Sequence, residues 1–163
     1  MLPYGLALPG VAVDTIQAAD LRSIRRMTMI ENKSTYDAYL LSEREEQELA
    51  VCLGGFLSPQ QERLFRKLKE GLPAGAEVCF WADVDLCGFR MFSRLQQIFP
   101  RLRPMRMSAA EVETYHAQGM ARTEKYLARL KAAMEREEFP MFQEAAETIL
   151  QYGVTIAQEV FLG

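Results

Sequence analysis

Short apolar runs alternate with amphipathic segments along most of the chain, and this pattern predicts alternating strands and helices. The apolar runs stop abruptly at polar or glycine residues, as buried parallel strands do. Strands are predicted at 24–30, 49–53, 78–82 and 102–107. Helical spacing follows each of them and dominates the C-terminal third. The pattern therefore predicts an α/β fold, with a mostly parallel sheet of about four strands flanked by helices.

Helix starts are marked by capping residues at several points. Ser34 or Thr35 is expected to cap the first helix. Ser58, followed by Pro59 and with Gln61 three residues on, has the pattern of a capping box with proline at the first helical position. Later helices are predicted after Ser108, which forms a capping box with Glu111, and at 122–134 and 140–152.

The most informative stretch is 77–92, EVCFWADVDLCGFRMF, in which an apolar strand ends in two carboxylates. If the strand runs on to Asp85, Asp83 and Asp85 project to one side at its C-terminal end, where open α/β sheets bind ligands. Gly88 is expected to let the chain turn tightly into the next helix. Two carboxylates at a rigid edge suit Mg²⁺ or Mn²⁺. Capping of the following helix explains the same residues, and the motif alone does not decide between the two.

A further carboxylate, Glu31, directly follows the strand predicted at 24–30. It becomes a partner for Asp83 and Asp85 if the two strands lie side by side. The alternative is an ordinary acidic residue in a surface loop. Gly54 and Gly55 end the next strand, where they allow either close approach of a phosphate backbone or a simple tight connection.

Length and composition indicate a single folded domain of 163 residues, 49% hydrophobic and 25% charged. We expect residues 1–23 to be a lead-in, as from the end of a preceding domain, and residues 24–163 to form the domain itself. The chain has no apolar run long enough to span a membrane and no basic flank of a signal peptide, so a cytoplasmic location is expected. The three cysteines, Cys52, Cys79 and Cys87, are odd in number and are predicted to be free thiols.

The net charge of −3 argues against bulk attraction to nucleic acid, but the arginines are unevenly distributed. Residues 86–110 contain five arginines and no acidic residue. A basic stretch directly after two carboxylates suits a site that holds a metal and a polyanion together, although a solvated helix face explains it equally simply. The candidate DNA-binding residues are Arg90, Arg94, Arg103 and Arg106.

Taken together, four blocks of the sequence resemble the Toprim domain of the Wadjet JetD C-terminal family: MIENKSTYDAYL, LAVCLGGFLSPQQERLF, FWADVDLCGFRMFSRL and LRPMRMSAAEVETY. A glutamate at one strand end and an Asp-x-Asp-x-x-Gly at a later one occur in the expected order, with Gly-Gly-Phe between them. The likeness extends from about Met27 to the end. Gln158 and Glu159 also match the family pattern, without an assigned role. The family is similar to the topoisomerase VI A subunit, which also contains a Toprim domain.

The resemblance implies a Rossmann-like Toprim sheet in which Glu31, Asp83 and Asp85 gather around Mg²⁺ or Mn²⁺. It implies phosphoryl transfer on DNA, of the endonuclease or topoisomerase type. Glu31 then serves as a ligand or as a general acid or base, and Lys33 contacts a phosphate; a solvated lysine at a helix start is the other reading of Lys33. No segment of the chain matches the separate domain that carries the nucleophilic tyrosine in topoisomerase VI relatives.

By the same resemblance, the expected partners are DNA and the subunits of an SMC-like ATPase complex in defence against plasmids or phages, with homodimerisation a further expectation. A second hypothesis is a Toprim-fold module that binds DNA or a partner without cutting. A third is a phosphotransferase that acts on a small phosphate ester. Salt-sensitive binding without a metal requirement distinguishes the second from the first.

Overall fold

The computed structural model of the protein describes residues 21–162. Its main sheet has the strand order β2-β1-β3-β4, and every neighbouring pair is parallel. The strands are β1 (Arg26–Ile30), β2 (Glu48–Cys52), β3 (Glu77–Trp81) and β4 (Arg103–Pro104). The predicted α/β fold with a four-stranded parallel sheet is thus confirmed. The predicted lead-in falls almost entirely outside the described residues.

The fourth strand is shorter than the predicted 102–107. Pro104 has no N–H to donate, and the last bond to β3 runs from the Met105 N–H to the Phe80 carbonyl at 2.9 Å. Arg106 then adopts a left-handed backbone with φ of 54°, which turns the chain away from the sheet.

Helices follow each strand and fill the C-terminal third, as predicted. They are α1 (Lys33–Ser42), α2 (Pro59–Gly71), α3 (Leu86–Gln96), α4 (Ala109–Tyr115), α5 (Glu124–Glu135) and α6 (Gln143–Tyr152). Short 3₁₀ helices occur at His116–Gln118, Pro140–Phe142 and Gln158–Leu162. The C-terminal third also contains an antiparallel pair that was not predicted, β5 (Met120–Ala121) with β6 (Val154–Thr155).

Local capping signals position two of the helices that flank the site. The predicted capping box of α2 is confirmed: the Ser58 side chain accepts from the Gln61 N–H at 3.2 Å, and the Gln61 side chain accepts from the Ser58 N–H at 2.8 Å. The predicted cap of α1 by Ser34 or Thr35 is wrong, because the Asn32 carboxamide accepts from the Ser34 N–H at 2.8 Å.

The core lies where β1 and β3 pack against the helices. Phe80 and Trp81 of β3 are fully buried. On α3, the ring of Phe89 stacks on Phe142 with centroids 4.6 Å apart. Burial of both central strands makes the edge at their C-terminal ends a rigid base for side chains.

Two further sequence expectations can be compared with the structure. Among residues 21–162, no helix is long and apolar enough to cross a membrane. The three cysteines are free, as predicted; Cys87 is exposed, whereas Cys52 and Cys79 are half-buried.

Candidate functional site

The ends of β1 and β3 bring Glu31 and Asp83 together. The two strands are parallel neighbours with Ile30 opposite Trp81, so the residues that follow them emerge at one edge. The Glu31 N–H donates to the Trp81 carbonyl at 3.0 Å, and the Asp83 N–H donates to Glu31 Oε2 at 3.4 Å. The sequence predicted that Glu31 lies near Asp83 and Asp85 if the strands before them are neighbours. β1 and β3 are neighbours, so this condition is met.

Asp85 reaches the same edge by a different route from the one expected. Regular strand geometry ends at Trp81, so the carboxylates are not aligned by an extended strand. Instead Val84 forms an isolated antiparallel bridge with Ile156. Asp85 is then the N-cap of α3, and its Oδ1 accepts from the Gly88 N–H at 2.8 Å. Asp85 therefore caps the following helix, which is one of the two roles that the motif left open. It lies two residues after Asp83 in the chain.

Gly88 is required for close packing rather than for a tight turn. It lies inside α3, and a Cβ at this position would be 2.1 Å from the Asp83 carbonyl oxygen and 3.2 Å from the Ala82 Cβ. The first turn of α3 therefore sits directly on the backbone that carries Asp83. This close approach fixes the distance between the helix start and the strand end.

The pKa values of all three carboxylates are raised, in each case chiefly by burial. Burial, followed by the charge of Asp83, raises the pKa of Glu31 from 4.5 to about 7. The pKa of Asp83 is also raised, chiefly by burial, although the Gln158 N–H that it accepts opposes the shift. Burial likewise raises the pKa of Asp85, against the effect of its Gly88 hydrogen bond. Each shift means that the fold holds a negative charge here at a cost, which an added cation would relieve.

The C-terminal segment closes over this edge. The Gln158 N–H donates to Asp83 Oδ1 at 2.8 Å, and the Gln158 side chain contacts both Trp81 and Asn32. The next residue, Glu159, accepts from the Asn32 carboxamide at 2.5 Å and adds its negative charge to the surroundings of Glu31. The sequence marked this pair without a role, and the structure places it at the site.

Two residues that the sequence did not suggest also contact the site. Arg122 Nη2 is 3.8 Å from Asp85 Oδ2, and Arg122 Nε donates to the Thr155 hydroxyl at 2.7 Å. Its guanidinium lies 4.8 Å from the ring centroid of Tyr126, whose hydroxyl accepts from the Leu86 N–H at 2.9 Å. Arg122 comes from the turn before α5, far along the chain from the Asp-x-Asp. No local pattern connects them, so sequence reasoning had no signal for this cation.

Lys33 lies close to Glu31 in the chain, but its ammonium is engaged elsewhere. It is the first residue of α1, and its Nζ is 2.6 Å from Asp37 Oδ2, one helical turn further on. The side chain is 74% exposed. A contact between Lys33 and a phosphate therefore requires this ion pair to open.

The four candidate DNA-binding arginines are not gathered in one patch. Each pairs with a carboxylate: Arg90 with Glu138, Arg94 with Glu62, Arg103 with Glu77 and Arg106 with Glu43. Arg103 pairs with Glu77, the first residue of β3, whereas the site follows the last residue of that strand. Arg103 therefore lies toward the opposite end of the strands. The Arg106 guanidinium lies 4.6 Å from the Trp81 ring centroid, and its partner Glu43 follows the C-terminal end of α1.

The glycine pair after β2 lies next to Glu31. The Gly54 N–H donates to the Glu31 carbonyl at 2.9 Å. Gly54 and Gly55 have φ angles of 66° and 117°, which favour glycine. A Cβ built at either position meets nothing within 4 Å, so the backbone conformation, rather than crowding, selects glycine here.

The chemistry of the donor set fits Mg²⁺ or Mn²⁺, which prefer carboxylate oxygens. Glu31, Asp83 and Asp85 would hold the ion. In the described residues 21–162, however, no group of three or more His, Cys, Asp or Glu side chains is already arranged to hold a metal. One oxygen each of Glu31, Asp83 and Asp85 accepts a backbone N–H, which leaves each carboxylate a second oxygen that could turn toward an ion.

Fold and site together define an α/β protein with an acidic cluster where two central parallel strands end. The chain belongs to the family described as Wadjet protein JetD, C-terminal, whose model matches residues 2–162. It is similar to the Wadjet protein JetD of Bacillus cereus (strain Q1), with 25% identity over 159 residues. That match covers 94% of this chain and 38% of the relative, so the chain spans well under half of the relative's length.

Proposed function

We propose that the chain is a Toprim domain that catalyses Mg²⁺- or Mn²⁺-dependent phosphoryl transfer on DNA, as endonuclease-type cleavage, within a JetD-like plasmid or phage defence protein. The observation that supports this most is the convergence of Glu31, Asp83 and Asp85 at the C-terminal ends of β1 and β3. The family membership supports the JetD context. A cytoplasmic location is part of the same proposal.

The local environments of the site residues suit them to different roles. Glu31, Asp83 and Asp85 would hold a divalent ion, which would supply Lewis-acid stabilisation of charge on the phosphate oxygens. Glu31, with a pKa raised to about 7, exchanges a proton near neutral pH and suits a general acid or base when it is not a ligand. Asp83 and Asp85 are oriented by the N–H groups of Gln158 and Gly88. These roles need no tyrosine nucleophile, so the reaction that we propose is hydrolysis.

The candidate arginines can bind DNA only if a phosphate replaces the carboxylate with which each is paired. Arg90, Arg94 and Arg106 each hold a carboxylate, and a phosphate would replace it. Among the four candidates we assign the closest DNA contact to Arg106, because its guanidinium lies over the ring of Trp81, the last residue of β3. Lys33 is assigned a similar exchange, from Asp37 to a phosphate.

The experiment is cleavage of supercoiled plasmid by the purified chain in Mg²⁺ or Mn²⁺, with EDTA as the metal-free condition. Asp83→Asn is the test variant because its amide oxygen still accepts the Gln158 N–H while the charge is lost. We expect cleavage to fall by on the order of 100-fold or more. Glu147→Gln, which removes an exposed carboxylate on α6, is the matched control and should cleave normally. Equal cleavage by the Asp83 variant, or full activity in EDTA, would refute the proposal.

The second candidate is a Toprim-fold module that binds DNA or a partner without cutting. It is favoured by the satisfied state of the site, in which backbone N–H groups already hold Asp83 and Asp85 and no metal-holding group is preformed among residues 21–162. It predicts DNA binding, followed by fluorescence anisotropy, that weakens with salt and is unaffected by EDTA. Its partners would be SMC-like ATPase subunits or a second copy of the chain, which sedimentation of mixtures would detect.

A further inference from the structure

Gln158 is a polar side chain that is fully buried, at 0% exposure. A buried carboxamide is costly unless its donor and acceptor are both satisfied. Here the Oε1 accepts the Asn32 N–H at 3.0 Å, and the Nε2 donates to the Trp81 carbonyl at 3.0 Å. The backbone N–H of Gln158 makes the third bond, to Asp83 Oδ1 at 2.8 Å.

These three bonds join both strand ends that carry the acidic residues. Asn32 directly follows Glu31 at the end of β1, while Trp81 is the last residue of β3 and precedes Asp83 by two positions. The Gln158 side chain therefore bridges the two strand ends where the carboxylates emerge, in addition to the direct bond from the Glu31 N–H to the Trp81 carbonyl. Glu159 reinforces the connection through its bond to the Asn32 carboxamide.

We propose that Gln158 is a positioning residue, which sets the relative placement of Glu31 and Asp83 for binding a divalent cation. The inference rests on the proposed function for its purpose, but the bonds that carry it exist without a metal. Gln158 reaches the cation only through these neighbours. Only a carboxamide of this length supplies both the acceptor for Asn32 and the donor for Trp81.

The key variant is Gln158→Met, which keeps the length of the side chain and removes both polar contacts. Gln158→Asn keeps an uncharged carboxamide but is one methylene shorter, so it cannot reach both the Asn32 N–H and the Trp81 carbonyl. Tyr39→Phe is the matched structural control, because it removes a buried hydrogen bond, from the Tyr39 hydroxyl to Glu48 at 2.7 Å, near the start of β2 rather than at the site edge.

The first measurement is amide hydrogen exchange in the metal-free protein. In Gln158→Met, the Asn32 N–H should exchange at least 10-fold faster, while the Leu53 N–H, bonded to the Ile30 carbonyl at 2.8 Å, serves as the reference at the same edge. In Gln158→Asn, the Asn32 and Trp81 bonds cannot both be kept, so its protection pattern should also differ from that of the wild type. Unchanged protection of Asn32 in Gln158→Met would overturn the inference, whatever the metal does.

The second measurement is Mn²⁺ affinity by calorimetry. Removal of a residue that orients metal ligands typically weakens binding 10- to 100-fold, and we expect this for folded Gln158→Met but not for Tyr39→Phe. Equal affinity of wild type and Gln158→Met would overturn the positioning role. Absence of Mn²⁺ binding in the wild type would instead refute the proposed function, and the exchange result would still decide whether Gln158 holds the strand ends. If Gln158→Met does not fold, Gln158→Asn supplies the affinity comparison, because it is uncharged and its shorter carboxamide cannot keep both bonds.

Discussion

Gly88 illustrates how a single atom constrains the site. In the interior of an exposed helix, replacing glycine by alanine usually stabilises the helix by about 1 kcal/mol. Here the added Cβ would be 2.1 Å from the Asp83 carbonyl oxygen, which belongs to the backbone and cannot move aside cheaply. We predict that Gly88→Ala lowers the free energy of unfolding by about 1 to 3 kcal/mol or more, as measured by urea denaturation.

The control for this prediction is Gly75→Ala. A Cβ at Gly75 meets nothing within 4 Å, and its φ angle lies outside the left-handed region. The substitution should leave stability within about 0.5 kcal/mol of wild type or raise it slightly. If the two variants behave alike, the close approach of α3 to the Asp83 backbone is not what selects glycine at position 88.

Glu31 makes stability depend on pH in a defined direction. Its pKa is raised from 4.5 to about 7 in the folded state, so between these values the folded chain holds a proton that the unfolded chain has lost. Stability contributed by this group is complete below about pH 4.5 and is lost as the pH rises through 7. Replacing Glu31 by a residue that does not ionise should therefore raise the free energy of unfolding at high pH and leave it unchanged at low pH.

We predict that metal-free Glu31→Gln is more stable than the wild type at pH 8, by about 1 to 2 kcal/mol once solvent screening is allowed for, and equally stable at pH 4. The glutamine amide oxygen still accepts the Asp83 N–H, so the comparison isolates the charge. Urea unfolding across this pH range, in EDTA, measures the difference. Stability curves that stay parallel from pH 4 to pH 8 would show that the Glu31 carboxylate is not disfavoured by the fold.

At the scale of elements, α2 is tied to the sheet by one bifunctional side chain. Gln61 Oε1 accepts the Ser58 N–H at 2.8 Å, and Gln61 Nε2 donates to the Leu53 carbonyl at the end of β2 at 2.7 Å. Gln61→Ala should cost about 1 to 3 kcal/mol, since each net hydrogen bond contributes about 0.5 to 1.5 kcal/mol. Gln61→Glu keeps only the bond to the Ser58 N–H, so its stability should lie between those of the wild type and Gln61→Ala, as measured by thermal unfolding. Equal losses for both variants would mean that the Leu53 bond carries the whole effect.

Elements were predictable from the sequence where their signals are local. The capping box of α2 is contained within four consecutive residues, and the burial of β1 and β3 follows from their apolar runs. The cap of α1 was predicted wrongly because Asn32, Ser34 and Thr35 are all residue types that favour the N-cap position, and residue type alone does not separate them. The predicted length of β4 was too great, because the loss of an N–H at Pro104 and the positive φ of Arg106 outweigh the apolar pattern.

The site was predictable only in part, for a reason of distance along the chain. Glu31, Asp83 and Asp85 each follow an apolar strand, and adjacency of β1 and β3 was the one condition needed. Gln158 bonds to Asp83 across 75 residues, and Arg122 approaches Asp85 from the turn before α5. Such contacts depend on how the C-terminal helices dock, which periodicity does not encode. The ion pairs of the four arginines could not be predicted from the sequence for the same reason.

For the whole molecule, these observations describe a fold that carries an electrostatic cost at one edge. Three carboxylates with raised pKa values face Arg122 as a nearby cation, while four other arginines are paired elsewhere. A protein that keeps such a cluster is less stable without a cation than a variant that lacks one of the charges. With a bound cation, the order of stabilities should reverse, because only the intact cluster gains from it.

This reversal is the prediction for the molecule as a whole, tested by thermal unfolding of wild type and Asp83→Asn at pH 8. In EDTA, the variant should unfold at the same temperature as wild type or higher, since it keeps the Gln158 bond and loses a disfavoured charge. With Mn²⁺ at about 100 times its Kd, binding stabilises the wild type by about 2.7 kcal/mol, which corresponds to about 5 to 10 °C for a domain of this size. Glu147→Gln should follow the wild type in both conditions, which excludes a general effect of charge. A wild type that gains nothing from Mn²⁺, while its EDTA stability still lies below that of Asp83→Asn, would assign the acidic edge to interaction with a cationic partner rather than to metal-dependent catalysis.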